Sequence, residues 1–189
     1  MFKKNIIAAA LIISGFALSG TASAQRYIGV TVGQASWDIN CAGTTSCKKT
    51  DTAFKAFGGY DFSPMWGVEG SFFSVGTASA SDGTIKGDFK GSGFDVAGIM
   101  KAPIGNHFVA FGKLGLAFVK GETTGTVGSV SGSVSKNSTQ AVLGFGVLYK
   151  VSSDTSLRAE VERRNVKVAD LDNATASVIN VSVGVQASF

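Results

Sequence analysis

Acid–base catalysis near neutral pH usually recruits histidine, and this chain has one, His107, between Asn106 and Phe108. Nucleophilic hydrolysis needs a hydroxyl or thiol beside a general base that a third group orients. His107 has no second histidine to share that work. The only cysteines, Cys41 and Cys47, bracket Ala-Gly-Thr-Thr-Ser. In an exported chain so close a pair reads as a disulfide across a loop, because a metal site would need further soft ligands. Asp170-Leu171-Asp172-Asn173 carries oxygen donors that suit a cation, although an acidic loop in water has the same composition. Asn137-Ser-Thr and Asn173-Ala-Thr fit the glycosylation acceptor pattern, which short sequences often match by chance. No glycine-rich turn leads from a strand into a helix, so no phosphate cradle is implied. What remains is ion-pair chemistry. Arg158, Glu160, Glu162 and Arg164 recur at every second residue, a spacing that puts all four on one face of a strand.

Eight alternating segments could position these charges, near 26–37, 52–62, 66–76, 91–102, 108–119, 139–150, 156–166 and 176–189. Short connections at 63–65, 103–107 and 152–155 contain both prolines, where neither removes a donor from a ladder. Long connections at 38–51, 76–90, 120–138 and 167–175 are rich in Gly, Ser, Thr, Asn and Asp. Short turns at one rim and long polar loops at the other are the pattern of an up-and-down barrel in an outer membrane.

Parity decides which solvent surrounds such a barrel. One parity reads Ile28, Val30, Val32 in the first segment and Phe94, Val96, Gly98, Met100 in the fourth. It continues with Leu114, Leu116, Phe118 in the fifth and Val181, Val183, Val185, Ala187, Phe189 in the last. Arg163 is the first charge on that side, near a loop end where lipid exposure costs little. The other parity holds Lys55, Asp61, Glu69, Asp95, Lys101, Lys113, Lys150, Arg158, Glu160, Glu162 and Arg164. Their signs nearly balance, as buried charges require. A soluble barrel would place charge outside and valine inside; here hydrocarbon must face the uncharged side. Tyr60, Phe62, Trp66, Phe108, Tyr149 and Phe189 then fall near the short-turn rim, where an interfacial aromatic belt would sit.

The N-terminus agrees with export. Lys3 and Lys4 precede an apolar run from Ile6 to Leu18, and Ala22-Ser23-Ala24 offers a small-residue cleavage site. The run is shorter than the about 20 residues of a spanning helix. Residues 1–24 therefore read as a cleaved signal peptide of the general secretory pathway, and 25–189 as one domain. Removing Lys3 and Lys4 lowers the formal charge from +4 to +2. That small excess, without a basic stripe, argues against nucleic-acid binding. The terminal phenylalanine resembles the signal by which barrel-assembly machinery recognises outer-membrane strands, with Val181, Val183, Val185 and Phe189 as its carriers.

The stretch Ala56-Phe-Gly-Gly-Tyr-Asp-Phe-Ser-Pro-Met-Trp-Gly-Val-Glu-Gly70 resembles the second hairpin of the OmpA-type outer-membrane barrel family. Gly98-Ile-Met-Lys-Ala-Pro-Ile-Gly-Asn-His107 and Lys113-Leu-Gly are similar to its fourth and fifth strands. Arg158-Ala-Glu160 and the alternating last segment are similar to its seventh and eighth. The resemblance implies an all-β, eight-stranded antiparallel barrel in the Gram-negative outer membrane. It also implies an interior ion-pair network in which Glu69 meets Arg158, with Lys113 and Glu160 nearby. A second interior acid–base pair of the family falls on Ile99 and Leu148, so that pair is missing and gating by exchange between pairs is not expected. The peptidoglycan-binding domain of larger members is likewise not expected. Small barrels that deacylate lipid A present a His and a Ser to the outer leaflet, whereas His107 falls in a periplasmic turn. The function expected is structural or surface-interacting, without enzymatic activity or a cofactor. A minor small-solute channel, or adhesion to host ligands through the long loops, are the alternatives. Outer-membrane lipid and lipopolysaccharide are the expected surroundings.

Overall fold

A computed structural model of the chain describes residues 25–39, 41, 43–82, 85–128, 130–167 and 175–189. The expected signal peptide, the acidic stretch 170–173 and the acceptor at Asn173 lie outside these residues. Among the described residues there are nine strands: β1 (Gln25–Trp37), β2 (Ser46–Lys48), β3 (Thr50–Asp61), β4 (Trp66–Ser81), β5 (Ile85–Ile104), β6 (Phe108–Val127), β7 (Val130–Lys150), β8 (Thr155–Lys167) and β9 (Thr175–Ser188).

All but β2 join one antiparallel ring in the order β1-β3-β4-β5-β6-β7-β8-β9, and β9 pairs back onto β1. Closure removes the free sheet edges that hydrocarbon would not tolerate. Each of the eight expected segments is a strand, and parity holds around the circle. Ile28, Val30 and Val32 are exposed on β1, as are Val181, Val183 and Val185 on β9, while Thr31, Ser182 and Gln186 between them are buried. The described outer band carries one charge toward its ribbon end, Arg163, exposed between Leu143 and Ile179 and donating from Nε to Ser177 Oγ at 2.9 Å. Arg26 shares the outward parity, but it sits on the first rung of β1 opposite Tyr60, at the short-turn rim.

The long connections differ from the expected loops. β4 runs on to Ser81, β5 starts at Ile85, β6 reaches Val127 and β7 starts at Val130, so most of 76–90 and 120–138 is strand. Serine, threonine and valine alternate there, and such residues suit a pleated surface. β6 and β7 remain paired to Val127↔Val130 across a tight turn at Gly128. The four strands therefore rise beyond the ring as a ribbon, to which β2 adds by pairing with Ser79–Ser81 of β4.

Where ribbon leaves ring, the β4–β5 register shifts between Ser74 and Thr77. Gly76 takes φ +67° at this bulge, and a β-carbon there would meet Asp51 Cβ at 2.6 Å. Asp51 fixes the bend by accepting from Thr77 N–H at 2.7 Å and from Lys48 Nζ at 2.8 Å. Pro103 belongs to β5, opposite Val109, rather than to the turn. Lys101 N–H donates to Met65 O, so odd residues of β5 turn their donors toward β4. Pro103 faces the gap before β4 begins, where no donor is needed.

Candidate functional site

The lumen is the chemically dense part of the molecule. Every second residue of each strand must point there, and five acids and five bases do so buried: Asp61, Glu69, Asp95, Glu160 and Glu162 with Lys55, Lys101, Lys113, Arg158 and Arg164. Lys150 was expected among them but is exposed beside the short turn, its N–H bound to His107 O. The ring's last rungs lie at the interface, so that side chain reaches water. Without Lys150 the interior signs balance.

Arg158 is central. Its Nη1 donates to Glu69 Oε2 at 2.6 Å and its Nη2 to Glu69 Oε1 at 3.0 Å, the two-pronged match of guanidinium to carboxylate. Its Nε also reaches Glu160 Oε2 at 3.0 Å. The guanidinium plane lies between Phe57 and Phe111, 4.2 and 4.4 Å from their ring centres. Tyr27 Oη donates to Glu69 Oε2 at 3.2 Å.

From this centre the network spreads around the wall. Lys113 reaches Glu69 Oε1 at 3.5 Å and also pairs with Glu162. Lys55 pairs with Glu160 and lies 2.9 Å from Glu162 Oε1. Arg164 donates to Asp95 Oδ2 at 2.7 Å and to Glu162 Oε2 at 2.9 Å, and Ser71 Oγ caps Asp95 at 2.8 Å. Lys101 and Asp61 form a separate pair at 2.5 Å near the short-turn rim. Glu69, Lys113, Arg158 and Glu160 are thus linked, with Glu69 shared by Lys113 and Arg158, and Arg158 reaching Glu160. Lys55, Asp95, Glu162 and Arg164, which the family resemblance did not single out, complete the circuit. Their shared parity was the signal for them.

Apolar layers close the charged one on both sides. Toward the short turns Ile99, Val109, Phe111 and Leu148 pack together. Ile99 and Leu148 are the positions at which the family's second acid–base pair was not expected. Toward the ribbon, Trp37, Phe73, Val75, Val119, Val142 and Val178 form the larger cluster, with Trp37 Nε1–H donating to Val75 O at 3.1 Å. A lumen so filled is suited to holding a shape rather than conducting.

The remaining candidates stand apart. His107 is exposed in the short turn between β5 and β6, its ring 6.2 Å from Tyr149. Cys41 and Cys47 form a disulfide that closes the loop before β3. Val181, Val183, Val185 and Phe189 all face outward on or beside β9. Phe62, Trp66, Phe108, Tyr149 and Phe189 ring the short-turn side. A second aromatic row, which the sequence reading did not single out as a belt, crosses β4–β6: Phe72 lies 6.3 Å from Phe94, which stacks on Phe118 at 4.7 Å.

Comparison with known proteins places this geometry. A family model described as the outer membrane protein beta-barrel domain matches residues 6–186. No curated protein sequence matches significantly. The crystal structure of Ail, the attachment invasion locus protein of Yersinia pestis, superposes with a TM-score of 0.59 at 21% identity, covering 89% of this chain and 100% of that one. Ail has also been solved in complex with the heparin analogue sucrose octasulfate, at TM-score 0.58, 20% identity and the same coverage. Neisserial surface protein A superposes with a TM-score of 0.62 at 15% identity, again over 89% of this chain and 100% of the other. At such identities the likeness is one of fold.

Proposed function

Because the chain belongs to the outer-membrane protein β-barrel domain family, we propose that it serves as a rigid surface scaffold, with its interactions made by the ribbon above the membrane. The carrying observation is the filled lumen. Eight buried charges engage one another between two apolar layers, with the Lys101–Asp61 pair toward the short-turn rim, so the barrel's own contribution is shape and anchorage. Surface proteins rest function on segments held out by such scaffolds. Ail, whose name records attachment and which has been solved in complex with a heparin analogue, has the same fold, and this chain is read likewise as a surface-interaction protein. The reading is non-enzymatic, since His107 stands at the short-turn rim, away from the outer leaflet. Conduction is secondary for the same reason as above.

Under this reading residues 1–24 direct export and are removed after Ala24, leaving 25–189 as the barrel. Lipopolysaccharide surrounds its upper band, and Val181, Val183, Val185 and Phe189 present β9 to the assembly machinery. Loop surgery tests the proposal. Replacing 76–90 and 120–138 by short turns is expected to leave heat-modifiable migration intact while abolishing attachment of cells to host or matrix surfaces. Attachment unchanged by that deletion, or carried by purified barrel without its ribbon, would refute it.

A further inference from the structure

The outer face of the ribbon continues the lipid-facing side of β4, β5 and β6, and its chemistry changes over a few rungs. Phe72, Phe94 and Phe118 lie side by side across these strands. Ser92 and Lys120 face each other one outward position higher, then Lys90 and Glu122, then Asp88 and Thr124. Thr77 of β4 stands opposite Lys90, and Ser79 opposite Asp88, just past the bulge. Residues opposite one another in a ladder share a face, so these polar side chains stand together outside the apolar band.

A groove of about 320 Å³ runs between them, lined by Thr77, Asp88, Lys90, Glu122 and Thr124. That volume is at the low end of the roughly 300–1,000 Å³ of small-molecule sites. Asp88 is held from two sides. Its Oδ1 accepts from Ser79 Oγ at 2.6 Å, and its Oδ2 pairs with Lys86 Nζ at 3.2 Å. The Ser79 hydrogen bond holds its carboxyl below the ordinary aspartate value, so it stands as an ionised acceptor. Each carboxylate oxygen keeps a lone pair for a ligand, Lys90 supplies donors on a flexible stem, and the threonine hydroxyls both donate and accept.

This set of groups selects among ligands. Asp88 and Glu122 repel sulfated or phosphorylated chains, and Lys90 opposes a simple cation. An apolar ligand would leave the lining groups without partners. A sugar meets the requirement, because each hydroxyl gives one hydrogen bond and accepts others. Neighbouring hydroxyls on a ring match a carboxylate beside an ammonium, and hydrogen bonds to charged groups are the stronger kind. Lys90 and Glu122, cross-strand neighbours in water, attract each other only weakly, so a ligand can take their place.

We propose that this groove binds an uncharged saccharide, with Asp88 and Glu122 accepting from ring hydroxyls and Lys90, Thr77 and Thr124 completing the contacts. The inference rests on the surface-scaffold reading in placing the ribbon outside the cell, and it names what that surface takes. The same chemistry is offered by a host glycan and by the outer sugars of the cell's own lipopolysaccharide.

The test uses the full barrel in lauryldimethylamine oxide micelles, whose head group carries no sugar. Lactose, N,N′-diacetylchitobiose and the saccharide released from the cell's lipopolysaccharide by mild acid are titrated while amide resonances are followed. At least one should shift the amides of Asp88, Lys90, Glu122 and Thr124 saturably, in the millimolar range. Glu122→Ala with Thr124→Val should weaken that binding by about tenfold or more. Thr126→Val, beyond the groove on the same face, should bind as the parent does. Heat-modifiable migration verifies each barrel. Should the double variant not assemble, Glu122→Gln, which keeps the shape and loses the charge, carries the comparison. No saturable shift with any of the three at about 100 mM, far above millimolar affinity, would overturn the proposal. So would equal binding by the Glu122 variants, or sucrose octasulfate seated in the groove more tightly than the uncharged sugars. Binding of lactose or the chitobiose upholds the site and points it at foreign glycans; binding of the released saccharide alone upholds it and points it at the cell's own envelope. Attachment that survives ribbon replacement, with sugar binding intact in the parent, would sink the scaffold reading alone.

Discussion

At the residue scale, the interior is organised by carboxylates that each serve more than one base. Glu69 takes both prongs of Arg158, Tyr27 Oη and Lys113. Glu69→Gln would leave Arg158 buried with half of its counter-charge gone. Breaking one partner of such a pair costs about 3–5 kcal/mol, so the unfolding free energy from denaturant titration in micelles should fall by that amount and the midpoint move to lower concentration. Arg158→Met should cost a similar amount, because it orphans Glu69 and empties the slot between Phe57 and Phe111. Since each single change strands the same pair, the double variant should cost clearly less than the two together. Additive costs would show that the two groups stand independently. Outside the membrane, Asp51 offers a pH-dependent contact. The hydrogen bond from Lys48 Nζ, then that from Thr77 N–H, hold its carboxyl below the ordinary aspartate value of 3.8. A depressed folded pKa stabilises the charged form, so the contribution is present above the ordinary value and is lost as pH falls through the lowered one. The Thr77 amide resonance should therefore titrate below pH 3.8. Asp51→Asn should abolish that step; a step persisting in Asp51→Asn would assign it to another group.

At the scale of strands, the large lumen rings lie over glycines of the neighbouring strand. Phe57 stands opposite Gly29, Tyr27 opposite Gly59 and Phe111 opposite Gly146. A β-carbon on Gly146 would come 2.4 Å from Phe111 Cζ and 2.5 Å from Ala159 O. Gly146→Val should therefore destabilise the barrel by about 1–3 kcal/mol through overpacking. Adding Phe111→Leu should recover part of that loss, since the ring is one of the two obstacles. A Gly146→Val barrel that unfolds like the parent would refute the fit. These pairs also show what the sequence made legible. A side-chain period of two, applied to each strand so that its uncharged set faces outward, sends Glu69, Lys113, Arg158 and Glu160 inward, so the interior membership follows from each strand's own alternation. Which acid meets which base depends on register between strands far apart in sequence, as with Asp95 and Arg164. Only the family resemblance supplied such a partner, for Glu69. Composition also misled at 76–90 and 120–138. Serine, glycine and threonine are shared by loops and by hairpins whose two sides are wet, and alternation is faint when neither side is buried. Lys150 was misplaced because parity says nothing about where a strand leaves the membrane.

At the scale of the whole molecule, the stacking order decides whether anything passes through. From the ribbon inward a solute meets Trp37, Phe73 and Val75, then the charged layer, then Phe111 with Ile99 and Leu148. Eight strands give an interior about wide enough for side chains to fill, and here each layer is closed by a different force. The apolar layers exclude ions because dehydrating a charge there has no compensation. The charged layer holds itself shut, since moving one member exposes its partners unpaired. Serial closure makes the layers redundant. Trp37→Ala with Val75→Ala should open the upper layer and cost stability, yet conductance in planar bilayers should stay at the parent's low level because Arg158 and Lys113 remain clamped beneath. Large stable current steps require two layers to yield together, so combining that opening with Arg158→Ala and Phe111→Ala should raise conductance above either change alone. Porin-sized steps from the unmodified protein would mean that the layers part readily. The lumen would then be a passage, and the surface ribbon an accessory to it.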